Sequence, residues 1–327
     1  MSDRRILLEN WLNTECGLQG FSLEPASEDA SFRSYLRLKA ADGSSLVVMD
    51  APPDKEDCAP FVDIGGRLLE AGVHAPRVYQ QNLRQGFLLL EDLGRKNYLD
   101  VLNDETVERL YGDALAALMS MQACIDPTAL PAYDRELLLK EMSLFRDWLL
   151  LRHLALDLNQ EEEQMLARSF SLLAESALKQ PQVFVHRDYH SRNLMAGLEH
   201  APGVLDFQDA VRGPVTYDVV SLLRDCYVSW SPQQVDEWAW GYYQLAVQSG
   251  VMRDEDEGRF LSWFDLMGAQ RHLKAAGIFA RLNHRDGKPG YLADIPRTLG
   301  YIVEVAERRE QLAPLADFIS RRVLPGL

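Results

Sequence analysis

The stretch Val183-Phe184-Val185-His186-Arg187-Asp188-Tyr189-His190-Ser191-Arg192-Asn193-Leu194-Met195 delivers His186, Asp188 and Asn193 to a loop that follows a β-branched apolar run. Thirteen residues after Asn193, a second short run, Val204-Leu205, delivers Asp206 and Phe207. Moving a γ-phosphoryl group from ATP to a hydroxyl needs a carboxylate that takes the acceptor proton and Mg²⁺ to neutralise charge on the phosphates. Asp188 suits the first task. Asn193 and Asp206 suit the second, because Mg²⁺ prefers oxygen and takes only one or two protein ligands when phosphate and water supply the others. An ordinary loop with a buried ion pair has no need of these residue types at these offsets on two strand-like runs. A metal pair of His186 and His190 is a weaker reading, since the helical H-E-x-x-H pattern is lacking.

Several elements must position this loop. Residues 3–15 place Ile6, Leu7, Trp11 and Leu12 at helical offsets, which predicts an amphipathic opening helix. Residues 31–39 and 44–49, joined by Ala41-Asp42-Gly43, alternate as a β-hairpin. Residues 55–71 carry Phe61, Ile64, Leu68 and Leu69 at helical intervals and stop at Gly72 and Pro76. Residues 77–81 and 86–90 read as strands, the second running into Glu91-Asp92-Leu93-Gly94. Beyond them the pattern is helical over 106–121, 135–158 and 161–178. The acidic runs at 161–163 and 254–257 read as a helix start, where carboxylates favour the macrodipole, and as a surface turn. Trp230, Trp238, Trp240, Tyr242 and Tyr243 read mainly as core by their helical spacing, with a sugar-stacking wall as the alternative.

A chain of 327 residues can bury a large core, and its length suggests about two domains. With 34 basic and 49 acidic residues it carries a formal charge of −15, which opposes nucleic-acid or anionic-membrane binding, since phosphate recognition needs a cationic footprint. Cys16, Cys58, Cys124 and Cys226 form no C-x-x-C pair and read as reduced thiols. The opening residues lack a signal-peptide core, and no uncharged run approaches the roughly 18 apolar residues of a membrane span, so a cytoplasmic protein is expected.

The H-R-D-x-x-x-x-N spacing followed by D-F is that of the protein-kinase catalytic and metal loops. The segments HRDYHSRNLM and GVLDFQDAVRGPVTYDVVSLLRD resemble the aminoglycoside phosphotransferase and choline kinase superfamily, whose members carry a protein-kinase-like fold and phosphorylate small molecules. LDFQDAVRGPVTYD together with GAQRHLKAAGIFARLNHRDGKPGYLADIPR is closer still to the bacterial anomeric sugar kinases of cell-wall recycling, which act on N-acetylmuramate and N-acetylglucosamine at C1. The likeness spans about residues 27–301.

The resemblance implies an α+β, protein-kinase-like two-lobed fold: residues 1–92 a nucleotide-binding lobe with an antiparallel sheet, residues 93–327 a mainly helical catalytic and substrate-binding lobe. It implies ATP as co-substrate, Mg²⁺ on Asn193 and Asp206, and Asp188 as the catalytic carboxylate, with Arg192 supporting the loop. His186 and Asp218 would be structural supports. The loop over residues 27–34 stands where kinases fold a glycine-rich turn over the triphosphate; it contains no glycine, and Ser31 and Arg33 would lie near phosphate. Glu91 and Leu93 would hydrogen-bond adenine through their backbone. A departure follows on the next strand: Met49 stands where kinases carry the phosphate-gripping lysine, and either Lys55 or Arg33 would have to replace it.

His190, Gln208, Asp225 and Arg271 are candidates for contact with the sugar. Asp225 faces substrate or pairs with Arg224, the ion pair being the simpler reading, and the cations of 270–274 and 281–288 meet the lactyl carboxylate of muramate or balance acidic neighbours. The absence of an A-P-E element after Asp206 argues for a small acceptor rather than a peptide. The alternatives are a kinase of aminoglycosides or other small hydroxyl compounds, favoured by the negative charge, and a nucleotide-binding pseudokinase, motivated by Met49. Oligomeric state and the preferred sugar do not follow from the residues.

Overall fold

The computed structural model describes residues 3–27, 32–200 and 202–327, so the expectation for Ser31 lies outside the described residues. The chain divides into two compact units, one formed by residues up to Lys96 with Met195–Asp209, the other by Asn97–Leu194 with Ala210–Leu327.

The first unit is built on a five-stranded antiparallel sheet of β1 (Ser22–Ser27), β2 (Ser34–Lys39), β3 (Ser45–Asp50), β4 (Val78–Asn82) and β5 (Phe87–Glu91), in the order β1-β2-β3-β5-β4. Strand β1 is additional to the sequence expectation. Its residues, SLEPAS, include a proline, which a sheet tolerates at an edge, and β1 is an edge strand. Helix α1 (Asp3–Thr14) buries Leu8, Trp11 and Leu12 in one cluster with Leu38, Val48, Phe87 and Leu89. Ile6 and Leu7, expected on the buried face, are exposed: the packed stripe is the i, i+3, i+4 set that begins at Leu8. Each fully buried side chain of this kind contributes about 1.5–3 kcal/mol.

Helix α2 (Ala59–Glu70) buries Phe61, Ile64 and Leu68. The Phe207 ring lies with its centroid 4.7 Å from that of Phe61, and a Cβ on Gly65 would meet it at 3.3 Å. Gly65 thus lets the loop after Asp206 approach the helix backbone.

The second unit is mostly helical, as expected: α3 (Tyr98–Val101), α4 (Val107–Cys124), α5 (Arg135–Leu144), α6 (Gln160–Leu178), α7 (Tyr217–Leu223), α8 (Pro232–Gln248), α9 (Glu257–Asp286), α10 (Ile295–Ala306) and α11 (Ala313–Phe318). Helix α5 widens into a π-helical stretch, Phe145–His153. Strands β6 (Gln182–Val185) and β9 (Val211–Pro214) form an antiparallel pair that flanks residues 186–210 in sequence. Shorter strands β7 (Leu194–Met195) and β8 (Gly203–Val204) lie between them in the chain. Asn159 caps α6 reciprocally with Glu162, so the acidic run does open a helix.

Helix α9 is central, packed against α5, α6, α7, α8 and α10. Surrounded on all sides, its middle is buried even at Asp265, Arg271, His272 and Lys274. Tyr242 and Tyr243 on α8 are core, while Trp230 and Trp238 pack edge-on against each other and against Tyr111. Among the described residues no helix is long and apolar enough to cross a membrane, and the four cysteines are unpaired.

Candidate active site

In the second unit, strand β6 ends at Val185 and the chain turns sharply. Arg187 takes φ +79, a left-handed conformation that costs a side-chain-bearing residue roughly 1 kcal/mol or more. Three contacts hold the turn. The buried Asp218 carboxylate accepts the backbone N–H groups of His186 at 2.7 Å and Arg187 at 3.0 Å. The Arg187 guanidinium pairs with Glu141 of α5. The His186 Nδ1 accepts the Asp188 N–H at 3.3 Å. Further along, Asp225 accepts the N–H of Ser191 and of Tyr227, both at 2.9 Å, and Tyr189 donates its hydroxyl to the Ala114 carbonyl at 2.8 Å. Asn193 donates its side-chain N–H to the Asp188 carbonyl at 3.0 Å, which ties the two candidate residues together.

These contacts revise one expectation. Asp225 does not pair with Arg224, which instead reaches Asp265 of α9 at 3.0 Å. Both Asp225 oxygens serve backbone donors, so this carboxylate fastens the loop to the residues after α7.

The electrostatics favour an ionised Asp188. Burial would raise its carboxyl, yet the charges of Lys274, Arg187 and Arg271 overcome that and hold it below the usual range. Lys274 lies 3.2 Å from Glu141 and donates to the Tyr217 hydroxyl at 3.0 Å. Burial likewise opposes ionisation of Glu141, and Lys274 and Arg187 override it. Burial lowers the His190 imidazole, keeping it neutral near pH 7.

Asp218 behaves oppositely: burial pushes it up to about 7, although the two backbone N–H donors pull it down. A carboxyl whose folded value exceeds its unfolded one binds more protons folded, so its contribution to stability falls as pH rises from about 4 towards 7. Between pH 5 and 6.5 the wild type should lose about 2 kcal/mol relative to Asp218→Asn, at about 1.4 kcal/mol per pH unit. Paired urea titrations at the two pH values measure this, and identical pH dependence in both proteins would refute it.

In the first unit, Asp206 takes φ +62, a left-handed conformation that aspartate tolerates better than most side chains, and accepts the Gln208 side-chain N–H at 2.8 Å. Gln208, a candidate for substrate contact, therefore orients Asp206. Arg33 is a partly buried guanidinium 3.2 Å from Glu56. Burial opposes its charge, and Tyr35, Glu56 and Asp209 outweigh burial, so Arg33 lies within electrostatic reach of the Asp206–Asp209 loop. Lys55 instead stands 4.7 Å over the Phe32 ring. Met49 is fully buried on β3 opposite Tyr35 and Leu88. At the end of β5, the Glu91 carboxylate contacts His74 Nε2 at 3.0 Å, its N–H donates to the Arg77 carbonyl, and Leu93 is buried. The next residue, Asp92, receives a two-point ion pair from Arg37 at 2.6 and 3.0 Å.

Sequence reasoning missed Glu141 and Arg37; Lys274 belongs to the cations of 270–274, and its ion pair with Glu141 is the acidic-neighbour alternative. Nothing local marked Glu141, one of two acids in the α5 sequence RELLLKEMSL. No group of three or more His, Cys, Asp or Glu side chains among the described residues forms a metal cage.

Residues 22–261 match the phosphotransferase enzyme family. The chain is 51% identical over 298 residues to a protein of Pseudomonas aeruginosa named N-acetylmuramate/N-acetylglucosamine kinase, covering 91% of this chain and 88% of that one. A protein of the same name from Neisseria meningitidis is 42% identical, covering 95% and 94%. Among solved structures, choline kinase from Cryptosporidium parvum superposes with a TM-score of 0.64 at 11% identity, over 98% of this chain and all of that one, which shows the protein-kinase-like fold. With a family match across most of its length, this chain belongs to the phosphotransferase enzyme family.

Proposed function

We propose that the protein transfers the γ-phosphoryl group of ATP to the anomeric hydroxyl of N-acetylmuramate and N-acetylglucosamine, giving the sugar 1-phosphate for peptidoglycan recycling. The observation that carries this reading is the near-full-length similarity to relatives bearing that name, in a chain that keeps Asp188, Asn193 and Asp206 at kinase spacing. Asp188 accepts the acceptor proton. Its cationic surroundings keep it ionised, and the contacts to Asp218, Asp225 and Ala114 hold its loop in place.

Asn193 and Asp206 would hold Mg²⁺. The Asn193 nitrogen is committed to the Asp188 carbonyl, so its amide oxygen would be the donor, and Gln208 orients the Asp206 carboxylate. When bound, Mg²⁺ neutralises negative charge on the phosphates. Arg33, rather than Lys55, supplies the cation that Met49 cannot: it is partly buried beside the loop that carries Asp206. Adenine is read by the backbone of Glu91 and Leu93, the Glu91 part falling to its carbonyl because its N–H is already engaged. The supply of ATP and the free thiols fit a cytoplasmic enzyme.

Phosphorus NMR of the protein with ATP, Mg²⁺ and each sugar in turn tests this reading. The expected product signal couples to the anomeric proton. Phosphorylation of an aminoglycoside alone, or of no acceptor in a broad panel, would overturn the assignment, the second outcome in favour of a nucleotide-binding pseudokinase.

A further inference from the structure

Two arginines of the second unit are neutralised by carboxylates: Arg187 by Glu141 and the buried Arg224 by Asp265. Arg271 differs. It is 5% exposed at the middle of α9, its Nε has no hydrogen-bond partner, and its Nη1 reaches only the Cys226 thiol, at 3.5 Å. A thiol is a weak acceptor, so the contact does little to replace the guanidinium's lost hydration. Among the described residues no carboxylate lies within ion-pair distance of it. Asp225, the nearest acid in sequence to Cys226, has both oxygens engaged by backbone donors. A buried, charged and incompletely paired guanidinium is costly, and such groups are normally completed by something the site binds.

The surroundings indicate what that is. Arg271 influences the ionisation of Asp188, Asp218 and His190, which puts it within electrostatic reach of the loop. His190 Nδ1 is also buried without a partner, and its ring stands edge-on to Tyr227 at 5.4 Å. Tyr227, Phe279 and Tyr291 form an aromatic wall suited to the apolar face of a sugar. Arg192, the other cation here, is stacked 3.7 Å over Tyr227 and 5.3 Å from Tyr291, so its planar face is occupied.

N-acetylmuramate differs from N-acetylglucosamine by a lactyl ether, and so by one carboxylate. We propose that Arg271 receives that carboxylate and is the residue by which this chain distinguishes the two sugars. The inference rests on the acceptor reading above. A planar fork of N–H donors matches a carboxylate at two points, which an ammonium cannot do. The uncharged 3-hydroxyl of N-acetylglucosamine gains much less from the same group, so Arg271 shifts preference towards the acid.

The test is kcat/KM for both sugars with wild type, Arg271→Lys and Arg271→Met, together with calorimetry of each sugar without ATP. The preference for N-acetylmuramate over N-acetylglucosamine should fall at least 30-fold in Arg271→Met and by a smaller factor in Arg271→Lys, with methylguanidinium partly restoring the methionine variant. Equal losses for both sugars would mean that Arg271 acts on transfer or on Asp188, and would overturn the proposal, as would an unchanged ratio. Should Arg271→Met fail to fold, Arg271→Lys still decides, because it keeps the charge and removes the fork. A wild type that phosphorylates neither sugar refutes the acceptor reading by itself; selective binding of N-acetylmuramate, lost on substitution, would then still support a carboxylate receptor.

Discussion

Asp188→Asn is expected to lower kcat about 10³-fold, the middle of the range for losing a positioned general base, while ATP affinity changes little. The substitution keeps the shape and removes the charge. Because Lys274, Arg187 and Arg271 hold the wild-type carboxyl below its usual range, kcat should not decline between pH 8 and pH 6 through protonation of Asp188. The amide leaves the backbone anchors intact: the loop is held by Asp218, Asp225 and the Tyr189 hydroxyl, none of which uses the Asp188 side chain. Stopped-time product assays and nucleotide titration on the same sample measure both quantities. Turnover within threefold of wild type would remove Asp188 from the chemistry, and a parallel collapse of ATP binding would instead signal a damaged loop.

Gly277→Ala should destabilise the protein by about 3 kcal/mol, the upper end of what overpacking costs. A Cβ at this position would fall 2.3 Å from the Leu144 carbonyl carbon and 2.4 Å from the Phe145 nitrogen, where α5 gives way to its π-helical continuation. The atoms it meets are backbone, so no side-chain rotation relieves the clash and the helices must part. Alanine is otherwise the better helix former by about 1 kcal/mol, which the clash outweighs. Gly258→Ala, on the same helix, is the control: a Cβ there would meet nothing within 4 Å, and the variant should be more stable by a few tenths to about 1 kcal/mol. Denaturation midpoints of the two variants separate the effects, and equal midpoints would show that the close approach does not matter. Since Arg271 and Lys274 lie on α9 within two turns of Gly277, kcat should fall as well.

Local features were legible in the residues: the strand-loop-strand pattern around His186, Asp188, Asn193 and Asp206, the sheet strands except the proline-bearing β1, and the helical character of the second unit. Alternation and helical periods report which face is apolar, and backbone hydrogen bonds in turns and caps join near neighbours, so short windows suffice. The family likeness then followed from residue types at fixed offsets.

Tertiary structure decided the rest. The Asp225 side chain grips Ser191, 34 positions away, rather than its neighbour Arg224, because packing takes Arg224 towards Asp265. The opening helix buries Leu8 and not Ile6 or Leu7 because its azimuth is set by the sheet it lies on. The cations of α9 read equally well as surface charge or as ligands in sequence. Arg271, His272 and Lys274 are buried because the middle of α9 is enclosed by five other helices, and burial in turn dictates which are neutralised by the chain and which, like Arg271, are left for a ligand. Charge pairing depends on distances between residues far apart in the chain, and those distances exist only once the core has packed.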